Sequence, residues 1–355
     1  MSVYSIFEQY KCDCVCTDSV ENIRMYHFKN DLHTFHPARV IRGWMTIDDE
    51  LFVTSFADPS IITPQTAITI HEESVISPWP ASLGYGPVKW DAFPYMEGTL
   101  IRVFVSSRKP GLFISTHRAI NAFSSSNFGE RLLHALNLDL GTLHSLLEVD
   151  VQYLFLLTAQ GDQCVASPEQ HPLYFIGTKP LRGGRTDFNA SFRNVPKPPR
   201  VTDVFQACRD LERGERYPGL ILFNGSRVYK VLHQDYLRHL DLRGDTPDIR
   251  MRLLQLLDIE YRRQELIDRY PILYEFNQEL DTLANYLYHA FVNRYFKKKF
   301  TVVPGDLYPI LKHLAISYFE ERPFYRKFTG FTILHVYRAL SNDSDRVLKY
   351  MEKQE

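Results

Sequence analysis

The reactive side chains of this sequence gather where a glycine permits tight backbone geometry, at Tyr95-Met96-Glu97-Gly98-Thr99-Leu100-Ile101. This stretch runs into the alternating, apolar Ile101-Arg102-Val103-Phe104-Val105. Glycine takes backbone angles that are costly for other residues, so Glu-Gly-Thr predicts a sharp turn with a carboxylate beside it. An acid so placed suits a phosphate-handling group. Two residues before it stands Tyr95, a phenol whose ordinary pKa is about 10 and which carries no positive charge.

Motifs for other chemistries are missing. There is no Gly-x-x-x-x-Gly-Lys-Ser/Thr, no Gly-x-Ser-x-Gly and no His-Glu-x-x-His, since His71-Glu72-Glu73 lacks the second histidine. Cys12, Cys14 and Cys16 alternate along one segment while Cys164 and Cys208 stand alone. Alternation predicts one buried face of a strand and poor geometry for disulfides. Paired CxxC spacing is absent, so no metal site is expected, even with His27, His33 or His36 nearby.

The elements that must position these residues are first β-like. Leu51 to Phe56, Ala67 to Ile70, Thr99 to Val105 and Leu112 to Ser115 read as short strands divided by Pro and Gly. Asn127 to Leu147 changes to a helical period, and Tyr153 to Leu157 and Leu173 to Ile176 return as buried strands. A helix over Val201 to Arg213 leads to Leu220-Ile221-Leu222-Phe223-Asn224-Gly225-Ser226-Arg227-Val228-Tyr229-Lys230-Val231-Leu232, where Asn-Gly between apolar runs predicts a hairpin. From about Asp248 the leucines recur at helical steps. A boundary near residue 245 therefore separates a β-rich body, 1–245, from a helical domain, 246–355.

Two basic stretches stand out. The Gly-, Pro- and Arg-rich loop 181–200 carries Arg182, Arg185, Arg193, Lys197 and Arg200 with few acids, a solvated loop or an RNA contact. In Phe296-Lys297-Lys298-Lys299-Phe300 the cations suit the end of a helix, so capping and solubility are the first reading and an RNA contact the second.

At 355 residues with 45% hydrophobic content the chain can build more than one core. Its formal net charge of -1 gives no global pull toward nucleic acid, so such binding must come from local patches. No apolar run reaches the roughly 20 residues that span a bilayer, and no signal-like start is present. The expectation is a soluble, cytoplasmic or virion-associated protein with no membrane partner.

Taken together, the segments around Arg42, Tyr95, Ser115, Leu156, Gly219 and Lys230 resemble, in order and spacing, the nucleotidyltransferase motifs of the bacteriophage-type tRNA-repair RNA ligase family. The resemblance covers most of the chain. It implies a lysine in a Lys-x-Asp-Gly turn that attacks ATP, forms a lysyl-adenylate and passes the nucleotide to an RNA 5′-phosphate. Here the lysine's position falls on Tyr95, the mid-domain acid's on Leu156, the Glu of a Glu-Gly on Pro218, and one of two late lysines on Leu232. Leucine and proline side chains supply no oxygen to Mg²⁺. Arg42 (with Gly43), Glu97, Gly98, Ser115 and Lys230 match and would form a nucleotide- or phosphate-binding remnant; Arg42 and Lys230 are equally compatible with ion pairs to carboxylates. Lys89 and Lys109 are the nearest substitutes for the lost nucleophile.

The fold class that follows is α+β: an antiparallel-sheet nucleotidyltransferase domain of the ATP-grasp-like RNA ligase kind, then an all-helical C-terminal domain. The functional expectation is a catalytically inactive, RNA-ligase-like protein, with RNA and protein partners in a larger assembly as its candidate ligands and no cofactor. One alternative is an active ATP-dependent RNA ligase with a divergent nucleophile, which would use ATP and Mg²⁺. The other is a structural subunit of a virus particle or polymerase-associated complex.

Overall fold

The computed structural model describes residues 3–29, 41–56, 59–69, 90–124, 127–158, 165, 171–214, 218–224, 227–246, 248–321 and 331–353. The chain divides into two compact units, Met1–Leu237 and Arg238–Glu355. It is α+β with mainly antiparallel sheets and a helical C-terminal region. No described helix is long and apolar enough to cross a membrane.

Among the described residues the first unit holds three four-stranded sheets. One runs β1 (Cys14–Val20), β2 (Ile23–Phe28), β3 (Arg42–Ile47), β4 (Glu50–Val53) in sequential order. A second orders β10 (Leu173–Pro180), β9 (Val151–Thr158), β7 (Gly98–Val105) and β8 (Leu112–Ser115). The third orders β5 (Ser60–Ile62), β12 (Arg227–Leu232), β11 (Gly219–Asn224) and β6 (Asp91–Pro94), with β5 and β12 parallel.

Strand β7 is covered on both faces. Ile101 and Val103 pack with Leu132 and Leu143 of the helices Phe128–Leu136 and Leu140–Ser145. Phe104, on the opposite face, packs with Met25, Met45 and Phe52 of the first sheet. Each such fully buried side chain contributes about 1.5–3 kcal/mol of apolar burial. The second sheet is thus a middle layer, with helices on one side and the first sheet on the other.

Several elements differ from the sequence expectation. The helical stretch after Asn127 breaks at Asn137, whose φ of 52° ends one helix before Asp139 caps the next through Thr142 N–H, 2.7 Å away. Residues 64–69 are helical, not a strand: the Thr63 hydroxyl accepts from Thr66 N–H at 3.1 Å, and Pro64 stands at the first helical position. The cysteine segment forms no buried face. Cys12 lies in a short 3₁₀ turn, β1 is bulged between Cys16 and Asp18, and Cys12 and Cys16 are exposed. Cys164 and His33 and His36 lie outside the described residues. The predicted hairpin is present, with Asn224 ending β11 opposite Arg227; residues 225 and 226 lie outside the described residues.

In the second unit the helices Ile249–Gln255, Glu260–Arg269, Leu273–Phe291, Tyr308–Glu321, Ile333–Asn342 and Ser344–Glu352 share one core. The long helix Leu273–Phe291 buries Leu273, Phe276, Leu280, Leu283, Ala284 and Leu287, the three- and four-residue steps of a core-facing stripe. It ends in a π turn, Val292–Phe296.

Candidate functional site

Strand β6 delivers Tyr95 to the edge of the third sheet, where its N–H donates to Gly219 O at 2.8 Å. Gly219 must be glycine, because a Cβ there would lie 2.6 Å from Val231 O and 3.2 Å from Tyr95 Cβ. Lys230, on β12, sets its ammonium 5.1 Å from the Tyr95 ring centroid. The Tyr236 ring meets the Tyr95 ring edge-on, with centroids 5.5 Å apart.

Glu97 is buried and doubly engaged. The Tyr236 hydroxyl donates to its Oε1 at 2.7 Å and Val165 N–H to its Oε2 at 2.8 Å. Val165, Leu232 and Tyr236 form an apolar cluster against which Tyr95 and Leu237 pack. Burial raises the Tyr95 pKa above that of an ordinary phenol, and the Glu97 charge acts in the same direction, while a hydrogen bond with Tyr236 opposes them. Tyr236 is also raised, by burial first and then by Tyr95 and Glu97. Both phenols are therefore neutral at physiological pH.

Gly98 is not at a left-handed turn; it begins β7 opposite Thr158. Its glycine is required by close approach, since a Cβ would lie 2.4 Å from Leu157 O. Leu156 is not part of the aromatic knot. It sits half-buried on β9 between Leu100 and Tyr174 in register. Pro218, half-buried, accepts from His233 N–H at 3.0 Å.

Arg42 and Ser115 belong to a different set of groups. Arg42 opens β3 opposite His27, and its charge depresses the pKa of both His27 and His117, after burial as the main cause. Ser115, fully buried, stands opposite Arg102 in the β7–β8 register. The Arg102 guanidinium, also fully buried, donates to Gly43 O at 2.6 Å and Thr116 O at 2.7 Å. Burial lowers its pKa to about 9. Lys179 of β10 donates to Ser55 O at 3.0 Å, and burial, with Arg102, lowers it to about 8. The Ser55 hydroxyl lies 3.0 Å from His117 Nε2, and His27 Nε2 contacts His117 O. Gln152 donates to Thr54 O at 3.0 Å.

This cationic layer joins the first sheet, and the irregular segment at Thr54 and Ser55 that follows β4, to the second sheet. Sequence reasoning missed Arg102, His117 and Lys179. The available signal was an arginine sharing strand parity with Phe104 inside an otherwise apolar run.

The arginine-rich loop is partly tied down. Arg185 and Arg200 both reach the buried Asp91 carboxylate, the former at 3.6 Å, and Lys197 donates to Phe188 O. Arg182 and Arg193 are exposed. Lys109, in the connection between β7 and β8, is held by Glu21 and Asn22, at 2.5 and 3.0 Å; Lys89 lies outside the described residues. Among the described residues no group of three or more His, Cys, Asp or Glu is disposed to hold a metal ion.

The sequence matches no protein-family model and no curated protein. Solved structures that align with it include two forms of an archaeal ATP-dependent RNA ligase. These are 12% and 13% identical with TM-scores of 0.41 and 0.40, and each alignment covers 79% of this chain and 74% or 73% of theirs. A Naegleria gruberi RNA ligase aligns at 12% identity over 52% of this chain and 57% of its own, with a TM-score of 0.32. These are likenesses of coarse architecture and carry no information about chemistry.

Proposed function

We propose that the chain is a ligase-like protein that does not transfer adenylate and whose scaffold serves RNA binding or assembly with protein partners. The observation that carries this reading is the closed knot at Tyr95. The residue in the nucleophile's place is a neutral phenol, wedged between Lys230 and Tyr236, and both oxygens of the neighbouring Glu97 are engaged. A group that must attack a triphosphate needs to be activated and free to approach it.

The donor set also does not fit ATP with Mg²⁺. Mg²⁺ takes hard oxygen ligands in octahedral geometry, and the chain has Leu156 and Pro218 at two of the expected acidic positions. Positioned charge supplies most of the catalysis in phosphoryl transfer, so loss of the nucleophile and of ligands together argues against rescue by one residue. Of the remnant, Arg42 and Lys230 retain positive charge that suits a phosphate, whereas Glu97 is engaged by two hydrogen bonds, Gly98 is set by the close approach of Leu157 O, and Ser115 is buried opposite Arg102. In the loop, Arg182 and Arg193 are the cations best placed to meet RNA.

The test is incubation of the full chain with α-labelled ATP and Mg²⁺. No protein-AMP adduct is expected. An adduct mapped to Lys89, Lys109 or Lys230 would instead establish an active ligase with a divergent nucleophile. RNA binding that weakens with added salt separates an RNA-binding role from a purely structural subunit.

A further inference from the structure

The long helix of the second unit ends in a knuckle of alternating chemistry. After the π turn, Lys297 N–H donates to Val292 O at 3.0 Å and Lys299 N–H to Asn293 O at 2.9 Å, and Lys298 takes a left-handed φ of 55°. The following segment is fastened by the Tyr286 hydroxyl, which donates to Val302 O at 3.0 Å. The knuckle is thus built, and it presents Lys297, Lys298 and Lys299 to solvent with Phe296 on one side and Phe300, 91% exposed, on the other. Among the described residues the ion pairs of this unit fall on its arginines, His313 and Lys353.

The knuckle continues into an aromatic surface. Phe296 meets Tyr318 at 5.9 Å between centroids, and Tyr318 meets Phe319 at 5.4 Å. Phe319 in turn lines an open hollow of about 450 Å³ with Tyr295, Ile316, Lys312 and Glu320. Exposed rings interrupted by ammonium groups do not make the continuous apolar face that a bilayer takes up. They match a strand whose flat apolar faces alternate with phosphates, because bases stack on rings while lysines meet the backbone. Capping alone would use the lysines and leave the exposed rings without a role.

We propose that the Phe296–Phe300 knuckle and the adjoining hollow bind single-stranded RNA, with Lys297, Lys298 and Lys299 on phosphates and Phe300 as a stacking platform. This inference rests on the RNA-binding half of the function proposed above and locates it.

The experiment is fluorescence anisotropy of a labelled oligouridylate with the full chain across a salt series. Replacing the three lysines with alanine should make the dependence of log K on log salt shallower, by about 0.7 for each lysine on a phosphate. Phe300→Ala should lose about tenfold in affinity with the slope unchanged, a stacking loss of ordinary size. Glu320→Gln, which removes a repulsive charge from the hollow, should tighten binding. Circular dichroism and urea midpoints matching the wild type show that the variants fold. Binding that none of these variants alters overturns the knuckle but leaves RNA binding standing. Absence of RNA binding by the wild-type chain overturns both. Binding to anionic phospholipid vesicles that Phe300→Ala abolishes, with RNA binding intact, overturns the inference in favour of a membrane surface.

Discussion

The Tyr95 knot and the Arg102 layer both bury polar groups in the first unit, and they do so by opposite means. At the knot a carboxylate is matched by a phenolic O–H and a backbone N–H, and aromatic edges close the space around it. In the layer, cations donate to backbone carbonyls of neighbouring segments, Gly43 and Thr116 for Arg102 and Ser55 for Lys179, the buried Arg102 Nε is left without a partner, and the Arg102 charge depresses the proton affinity of Lys179. Carbonyl dipoles compensate a buried cation less completely than a carboxylate does. The knot engages both oxygens of its carboxylate with neutral donors, while the layer uses its cations as struts between sheets at a standing electrostatic cost.

Removing the largest strut should expose this difference most strongly. Arg102→Ala deletes a fully buried side chain and leaves the Gly43 and Thr116 carbonyls without their donor. A loss of about 3–5 kcal/mol in urea unfolding is expected from the cavity and the unpaired groups. At the knot, Tyr236→Phe keeps the ring contacts and removes only the O–H bond to Glu97. The expected loss is about 1.5–3 kcal/mol, as for a hydrogen bond to a charged group. If the two substitutions proved equal, the contrast between strut and matched pair would not hold.

The parts of the molecule visible in the sequence are those where local pattern and tertiary demand agree. The leucine periodicity of Leu273 to Leu287 became a core stripe, and the apolar runs around Asn224 became β11 and β12. The glycine at 98 was legible as a constraint, but its cause was backbone approach by β9 and not turn geometry. Residues 64–69 are rich in β-formers, yet a threonine cap and a proline decided for helix. Cys12, Cys14 and Cys16 alternate in sequence, but a 3₁₀ turn takes Cys12 out of the strand, and the face of β1 that carries Cys14 and Cys16 is not buried. The site was legible in part. Tyr95 and Glu97 do meet, but their closing partner Tyr236 is 139 residues from Glu97 and carries no motif of its own. The cationic layer was hidden because alternation predicts an outward Arg102 only when one sheet face is wet, and both faces of β7 are covered.

A pH titration sharpens the comparison on the acidic side. His117 is half-buried and its pKa lies well below the ordinary 6.5, by desolvation of the ring first and then by the charges of Arg42 and Arg102. As pH falls through 6.5 the unfolded chain takes up a proton that the folded chain refuses, so stability should fall with pH in that range. His117→Asn should flatten that part of the profile. A similar slope in the variant would assign the acid sensitivity elsewhere, with the half-buried His27 as the next group to replace.

The basic side gives a smaller effect with the same logic. Lys179 is lowered from 10.5 to about 8, so between these values the unfolded chain holds a proton that the folded chain has released. Stability contributed by this group should therefore rise with pH across that window, and the penalty for burying its charge is fully present below about 8. Lys179→Met keeps most of the apolar stem, removes the slope and relieves that penalty, while giving up the bond to Ser55 O. Near neutral pH the two changes oppose each other, so the variant should lie within about 1 kcal/mol of the wild type, measured by urea unfolding. A large loss at neutral pH together with an unchanged slope above pH 8 would make Lys179 a matched donor like Tyr236 and dissolve the distinction between the two regions.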